Sequence, residues 1–447
     1  MGRAGPLLLI VIALIVFFIS ERVNVLAPIS GRDTTTVVSF WAFATPAQTM
    51  RELKSEFEDQ FPHIRVEVQT VPWESLQQKT LWAIAAQSNV PDVIVGSSEW
   101  TGGLASAGGL EPLDKHLGPE FFARYFPATL GTYQFPEVRR DKPGWRGPMR
   151  QYGIPLDLDM MLVFYRADLL EPAMRNLGMD RFPETWSEFR RLGQALRDSQ
   201  TPQASGVRLL YLDPEDPVPM SMAFLPSSGG RFLDQTMRRA VFDEPESAAA
   251  FEFFADLLRS DIAIRWSRST MEDPIVLYKT GRAAANISGP WYAKLLATKA
   301  PELAGRWRVA LFPRREPGLP PCGLGGACLA VPYNAPNKEA AMELIRYMAT
   351  DRFALNYFRR VGSPPPMVSA WSDPVFQQRD PYFGGQCIYD VVRQAIEQAK
   401  PLPLMPNTEI TKGAVRTAMR EISVNGEMTS VALKRAVLRA NRILAEE

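Results

Sequence analysis

The sequence predicts an α/β fold in which mostly parallel sheets are covered by helices. Three apolar or alternating runs, at 37–43, 64–68 and 91–95, are typical of buried strands. The residues between them place apolar side chains at helical spacing, and Pro62 ends the first of these helices. A β-α-β-α-β order needs crossovers that return the chain to the same end of the sheet, so we expect parallel strands with helices on both faces.

The same alternation of strands and helices continues to the end of the chain. Ligands of such sheets bind beyond the carboxyl ends of strands, which directs attention to the loops after Phe43 and Val95. The charged, Pro- and Gly-rich stretch 136–148 indicates an exposed loop. Further strands are predicted at 152–165, 207–212, 307–312 and 327–331, and further helices at 186–197, 245–259, 337–350 and from 411 onward.

Composition excludes several classes of function. The chain has 447 residues with 50 Lys and Arg against 49 Asp and Glu, a net charge of +1, and no block of like charge. A nucleic-acid-binding protein normally carries a basic stripe, so nucleic acid is not an expected partner. Two His and three Cys are too few for most zinc sites, iron–sulfur clusters or His-based triads. We therefore expect no metal and no cofactor.

The search for catalytic motifs gives no enzyme signature. The sequence contains no Gly-Lys-Ser/Thr of a P-loop, and the glycine run 323–328 fails the dinucleotide fingerprint because Cys328 takes the place of its last glycine. Asp157 and Asp159 would share one face of a strand, whereas glycosidase carboxylates flank a sugar at roughly 5–9.5 Å. The interpretation favoured here is that one Asp binds a ligand or a helix end, so no catalytic residue is assigned.

The N-terminus predicts export. Residues 7–19 form an unbroken apolar run after Arg3, which is the length of a signal-peptide core and short of the roughly 20 residues that span a bilayer. Small residues before position 28 allow cleavage after Ala27, although Glu21 and Arg22 are unusual in a cleaved region. Residues 1–27 are therefore a signal peptide or an uncleaved signal anchor, or alternatively a buried helix, and 28–35 form a spacer. In both export readings the rest of the chain faces an extracytoplasmic space.

The cysteines fit that compartment only weakly. Cys322 and Cys328 lie in one Gly- and Pro-rich loop, where a disulfide is geometrically feasible and an oxidising compartment would favour it. Cysteines are also common as small buried apolar residues, which is the alternative for this pair. Cys387 would remain free in either case.

Aromatic residues fall at strand ends and turns instead of along helical stripes. Flat apolar rings pack against the CH faces of sugars, while carboxylates and amides bind the hydroxyls. Each ring could equally be an anchor in the core. The residues with this placement are Trp41, Trp73, Trp100, Trp291 and Tyr382.

Several motifs, in a fixed order, resemble those of the extracellular solute-binding proteins of ABC importers, in particular the maltose and multiple-sugar group. Each motif is weak alone, but their order and spacing cover nearly all of residues 36–447. The motifs are FEDQFP (57–62), PDVI (91–94), GGLEPLD (108–114), YGIP (152–155), FYRADLL (164–170), PETWSEF (183–189), YKTGRAA (278–284), GPW (289–291), GG (325–326) and PNKEAA (336–341).

The resemblance implies two α/β lobes that are joined by hinge segments and close over a ligand like a clamp. The first lobe would contain 36–150 and 328–370, and the second 151–327 and 371–447. Trp41 and Trp291 would stack on the ligand, and the carboxylates would bind its hydroxyls. The full set of implied ligand contacts is Trp41, Ser98, Glu99, Trp100, Asp157, Asp159, Trp291, Gly325 and Gly326.

The function that the resemblance implies is capture of a mono- or oligosaccharide by a monomer, which delivers it to membrane permease subunits. Lys412 and Gly413 replace the aromatic residue that the family carries before the run 414–418, which makes a maltodextrin ligand doubtful. The alternatives are another small polar solute, such as a polyamine or glycerol phosphate, and a membrane-anchored ligand sensor without transport. A polyamine would need clustered acids in the cleft, and a phosphate would need Arg or Lys.

Overall fold

The computed structural model describes residues 35–142, 144–200, 205–267 and 273–446. The predicted export segment 1–27 and the spacer up to residue 34 lie outside these ranges. Across the described ranges, every helix is too short or too polar to cross a membrane.

The first strands and helices follow the predicted β-α-β-α-β order. Strand β1 (Thr36–Ala42) leads into the helix Ala44–Gln60, then β2 (Ile64–Thr70), the helix Trp73–Ala86 and β3 (Val93–Ser97). Every residue of β3 is buried, as expected for a strand covered on both faces. The predicted elements of this region are therefore confirmed to within a few residues.

The first sheet combines segments from distant parts of the chain. Its strand order is β2-β1-β3-β13-β6, where β13 is Ala327–Ala330 and β6 is Ile154–Pro155. β1 runs parallel to β2 and β3, while β13 runs antiparallel to β3 and to β6. The chain thus leaves this sheet after Pro155 and returns to it at Ala327.

The second sheet differs from the prediction. β7 (Leu162–Arg166) lies between β10 (Ala285–Ser288) and β11 (Trp307–Leu311), and both pairings are antiparallel. Two smaller pairs in this part of the chain are parallel: β8 (Leu210–Leu212) with β9 (Ala263–Arg265), and β12 (Gly323–Leu324) with β14 (Lys400–Pro401). The expectation of a mostly parallel sheet was wrong in this part of the chain. The alternation of strands and helices does not fix direction when more than a hundred residues separate β7 from its neighbour β10.

Four short strands complete the sheets. β4 (Gln134–Val138) and β5 (Arg146–Gln151) form an antiparallel hairpin, so the predicted exposed loop is confined to the hairpin tip. β12 (Gly323–Leu324) pairs with β14 (Lys400–Pro401). The other helices are Thr101–Ser106, Pro119–Phe122, Pro127–Gly131, Ala167–Asn176, Trp186–Arg197, Pro217–Pro219, Leu225–Ser228, Pro245–Arg259, Ile275–Lys279, Tyr292–Lys299, Lys338–Met348, Asp351–Val361, Ile388–Gln398, Arg416–Ser423 and Thr429–Ala445, with π-helical turns at Met220–Phe224 and Ile410–Val415.

The helix Trp186–Arg197 shows how local sequence sets an element boundary. The Glu188 amide donates to Thr185 Oγ1 at 3.3 Å, and the Thr185 amide donates to Glu188 Oε2 at 3.1 Å. This reciprocal capping box satisfies two backbone N–H groups that have no partner inside the helix. The predicted N-terminal cap is confirmed.

Apolar side chains form separate cores around the two sheets. Successive residues of β1 point to opposite faces, so Phe40 packs with Phe57 under one face while Trp41 packs with Leu104 on the other. A larger core surrounds the second sheet and includes Phe164 and Trp307. The larger core draws nearly all of its residues from 158–324 and from 371 onward.

The predicted Cys322–Cys328 disulfide is not present, and both thiols are free and buried. Cys322 belongs to the core around the second sheet, whereas Cys328 lies in β13 and packs on the first sheet near Thr101. The intervening residues carry the chain from one core to the other. The two side chains therefore point into different cores. The possible disulfide is corrected in favour of the alternative, two small buried apolar residues.

Candidate functional site

A cavity of about 650 Å³ lies where the two cores face each other. On the side of the first sheet it is lined by Ser98 and Glu99, which follow β3, and by Trp73, which opens its helix. The remaining lining comes from residues 216–232 and 319–323 and from 400–416. Side chains from both cores thus meet around one open volume, which is the arrangement of a ligand cleft.

The loop after β3 is fixed in place by the returning chain. The Ser98 amide donates to the Gly326 carbonyl at 3.1 Å, and the Gly326 amide donates to Ser98 Oγ at 3.3 Å. The Glu99 amide donates to Ser97 Oγ at 3.1 Å. These bonds present Ser98 and Glu99 to the cavity, as the rule about carboxyl ends of strands predicted.

Trp73 was only one of several aromatic candidates from the sequence, yet it is the one whose ring is both exposed and in the cavity. It is 37% exposed and packs edge-on against Phe43, with ring centroids 5.1 Å apart. Phe43 belongs to the loop after β1, so this loop reaches the cavity through Trp73. A partly exposed aromatic ring in a cleft can pack against the apolar face of a sugar.

The wall opposite Ser98 is mainly aliphatic. A π-helical turn, Met220–Phe224, separates two short helices and places Met222 and the following Leu225 on the cavity. Phe232 contributes a second ring to this wall. Single π-helical turns occur often at functional sites, because the extra residue re-aims the side chains around it.

A Pro-rich segment closes a further side of the cavity. Lys400 and Pro401 pair with Gly323 and Leu324, which anchors the start of the segment to the second half of the chain. A Cβ atom at Gly323 would lie 2.4 Å from the side chain of Leu402, so a larger residue would have to displace Leu402. The segment then reaches the helix Thr101–Ser106, where Ser106 Oγ donates to the Pro406 carbonyl at 2.8 Å.

Asp157 joins three distant segments. It is 6% exposed, its Oδ1 accepts the Ala327 amide at 2.7 Å, and its Oδ2 accepts the Tyr357 hydroxyl at 3.3 Å. Burial raises the pKa of this carboxyl to about 6. Asp157 thus holds together the strands that cross between the cores, and it does not line the cavity.

Asp159 sits next to the same crossing. Its amide donates to the Gly325 carbonyl at 3.1 Å, and the Gly325 amide donates back to the Asp159 carbonyl at 2.8 Å. Its carboxyl accepts the Met160 amide at 3.0 Å, and the nearby Trp291 side chain favours its charged form. Burial, with the Asp157 charge as a second cause, raises the pKa of Asp159 to about 8. The predicted residues Asp157, Asp159, Trp291, Gly325 and Gly326 therefore gather at the crossing behind Ser98.

Other aromatic candidates lie away from the cavity. Trp41 is 6% exposed in the core beside the first sheet, with Lys79 Nζ 4.1 Å from its ring centroid. Trp100 is buried in the same core. Tyr382 donates its hydroxyl to backbone carbonyls and is a core anchor. Trp41 is buried although it lies near the end of β1, because strand alternation directs its side chain onto a face of the sheet that helices cover.

Most of the cavity lining outside Trp73, Ser98 and Glu99 was not predicted from the sequence. The Pro-Leu-Pro-Leu-Met-Pro run at 401–406 has neither helical nor strand periodicity, so nothing in it indicated a ligand-facing role. Lys412 was noted as a departure from the family pattern, which is the one signal that pointed here. The lining residues that were not anticipated include Asp216, Met222, Arg231, Phe232, Lys400 and Arg416.

The charged groups of the cavity are unevenly distributed. Glu99 and Asp216 are its acidic residues. Its basic residues are Arg231, Lys400, Lys412 and Arg416, of which Arg231 pairs with Glu244 at 3.2 Å. Among the described residues, no group of three His, Cys, Asp or Glu side chains is placed to hold a metal ion. The arrangement can bind a polar ligand through hydrogen bonds and charge.

Comparison with known proteins gives consistent matches. A maltotriose-binding protein of Pyrococcus abyssi is 21% identical over 84% of this chain and 74% of its own length. Among solved structures, the sugar-binding protein MalE of Xanthomonas citri superimposes with a TM-score of 0.76 at 23% identity, covering 92% of this chain and 98% of that one. The GacH receptor of Streptomyces glaucescens, solved without ligand and with acarbose, gives a TM-score of 0.72 at 21% identity over 92% and 99%.

These structural matches confirm the two-lobed α/β fold that the sequence predicted. The family model of the bacterial extracellular solute-binding proteins matches residues 43–354, which is more than half of the chain. Because that family consists of binding proteins, the expectation that the chain is not an enzyme is also confirmed. The chain belongs to the family of bacterial extracellular solute-binding proteins.

Proposed function

We propose that the protein is the extracytoplasmic substrate-binding subunit of an ABC importer and captures a carbohydrate in the cleft between its lobes. The observation that carries the proposal is the shared lining of one cavity, with Ser98, Glu99 and Trp73 on one side and residues 216–232 and 400–416 on the other. A ligand that touches both sides favours the closed state, because only differential affinity shifts an open–closed equilibrium. Relatives named for maltotriose and lactose binding support a sugar as the ligand class.

The lobes would be 36–155 with 328–370, and 156–327 with 371–447. The first boundary is moved from residue 150 to Pro155, because β6 pairs in the first sheet. Of the contacts implied by the resemblance, Ser98 and Glu99 would touch the ligand directly. Asp157, Asp159, Gly325 and Gly326 would act at the crossing, where they set the geometry of closure. After capture, the closed protein would dock on permease subunits and release the sugar to them.

The charges that line the cavity bear on the alternative ligands. A polyamine is disfavoured, because the basic residues that line the cleft outnumber the acidic ones and would repel a polycation. A ligand sensor without transport would use the same cleft and would differ only in lacking a permease partner.

The test is a panel of saccharides screened by thermal shift and confirmed by calorimetry on residues 28–447. A ligand that binds only the folded state raises the melting temperature by mass action. Trp73→Ala should weaken binding of the best saccharide about two- to tenfold, from loss of ring packing worth about 0.5–1.5 kcal/mol.

Trp82→Ala is the matched control for that variant. Trp82 lies on the same helix, is 67% exposed, and does not line the cavity, so its removal should leave affinity unchanged. Equal losses for both variants, or no response to any saccharide, would contradict the proposal.

A further inference from the structure

Three basic side chains of the cleft have no acidic partner. Lys400, Lys412 and Arg416 are exposed side chains that line the cavity. Within the part of the chain that the structure describes, none of the three forms an ion pair. Some surface cations elsewhere are neutralised by carboxylates: Arg435, for example, contacts both Glu421 and Glu427 at 3.0 Å.

Their positions are fixed by the fold. Lys400 is held by the pairing of β14 with β12. Lys412 and Arg416 are four residues apart on a continuous helical segment, formed by the π-helical turn Ile410–Val415 and the helix Arg416–Ser423. Residues at this spacing are neighbours on a helix, and like charges there repel each other. A bound anion would relieve that repulsion.

The cavity has two acidic residues, Glu99 and Asp216. Glu99 follows β3 in the first sheet, and Asp216 precedes the short helix Pro217–Pro219. Glu409, on the same turn as Lys412, is not part of the lining. With Arg231, the residues Lys400, Lys412 and Arg416 give the cavity four basic side chains against two acidic ones. The cavity therefore has an excess of positive charge.

We propose that the natural ligand is an anionic saccharide, whose carboxylate or phosphate group binds Lys400, Lys412 and Arg416. Charged donors bind such groups through short, charge-assisted hydrogen bonds, and Arg can do so in bidentate fashion. The CH faces of the sugar pack against Trp73 and aliphatic side chains such as Met222 and Leu402. This inference rests on the proposed function, since it names the chemistry of the solute captured in the same cleft.

The test compares matched ligands by calorimetry on residues 28–447. The pairs are a galacturonate oligosaccharide with the neutral galactose oligosaccharide of the same length, and a hexose phosphate with its neutral hexose. Binding of the anionic member should exceed that of its neutral partner by at least tenfold and should weaken as sodium chloride is raised from 50 to 500 mM. Whichever pair shows the difference identifies the group as carboxylate or phosphate.

Substitutions in the cleft test whether Lys412 and Arg416 cause the preference for the anionic ligand. Lys412→Gln and Arg416→Gln should each weaken binding of the anionic ligand about ten- to hundredfold, the range expected for a hydrogen bond between charged groups. Lys434→Gln is the control, because Lys434 is also exposed but lies outside the cleft. Melting temperatures without ligand should be the same for all three variants, since each change is on the surface.

Equal affinity for the neutral and anionic members would overturn the inference while leaving carbohydrate capture intact. Loss of binding by the Lys434 variant as well, or an anionic preference that survives both cleft substitutions, would also overturn it. Failure of every saccharide, neutral or anionic, would instead refute the proposed function itself.

Discussion

Replacing Asp157 by alanine tests whether this carboxyl holds the crossing segments together. The substitution removes the acceptor of the Ala327 amide, at 2.7 Å, and of the Tyr357 hydroxyl, at 3.3 Å. A buried donor left without a partner costs about 1–3 kcal/mol. The Tyr357 bond is long and its hydroxyl can rotate, so we expect a total loss of about 2–4 kcal/mol in the free energy of unfolding.

The assay is urea unfolding at pH 5, followed by tryptophan fluorescence. Because burial raises the pKa of Asp157 to about 6, the carboxyl is mostly neutral at pH 5, and the result then reports the hydrogen bonds. Asp157→Asn is the matched variant. It keeps an acceptor for the Ala327 amide and should stay within about 1 kcal/mol of the parent.

An alanine variant within about 0.5 kcal/mol of the parent protein would refute the reasoning, since changes of that size are ordinary for surface sites. An asparagine variant as unstable as the alanine variant would refute it in another way. It would show that an acceptor for the Ala327 amide is not enough to preserve stability at this position.

Three further perturbations test the crossing and the fold. The pKa of Asp159 is raised to about 8, so between about pH 4 and pH 8 the folded state binds more protons than the unfolded state, and the stability contributed by this group falls as pH rises. Asp159→Asn should therefore gain stability relative to the parent from pH 5 to pH 8 in thermal unfolding, and a constant difference would contradict this sign. Gly326→Ala should lower the melting temperature more than Gly325→Ala. Gly326 has φ +128° and a Cβ there would meet Asp157 backbone and side-chain atoms at 2.9 and 2.7 Å, whereas a Cβ at Gly325 meets the movable Ser98 hydroxyl at 2.7 Å. Equal effects would argue against strain at Gly326. Thr185→Ala should cost about 1 kcal/mol in urea unfolding through loss of the helix cap, and an unchanged midpoint would mean that the capping box adds nothing.

The strands of the first sheet could be predicted because each has a clear local pattern of apolar residues. Ile64, Val66 and Val68 alternate with charged or polar residues, and β3 is an unbroken buried run between Pro91 and the loop at Ser98. Strand direction in the second sheet could not be predicted in the same way. The antiparallel neighbours of β7 follow it after long helical excursions, and no local pattern encodes the end of the sheet to which the chain returns.

Part of the cavity lining was predictable, from sheet geometry for Ser98 and Glu99 and from its aromatic ring for Trp73. Ser98 and Glu99 line the cavity because they follow a central strand, which is a general property of such sheets. Trp41 has a similar place in the sequence, but strand alternation turns its ring into the core. Lys400 and Met405 reach the cleft through a Pro-rich segment whose path depends on pairing with Gly323, a contact 77 residues away along the chain.

Hydrogen–deuterium exchange of the protein with and without its best saccharide tests most directly whether the ligand is held between the two lobes. We expect the saccharide to slow exchange in three segments at once, because a ligand in the cavity contacts all three. These segments are the loop after β3 around Ser98, residues 216–232 and residues 400–416. Protection limited to one lobe, or located outside these segments, would contradict it.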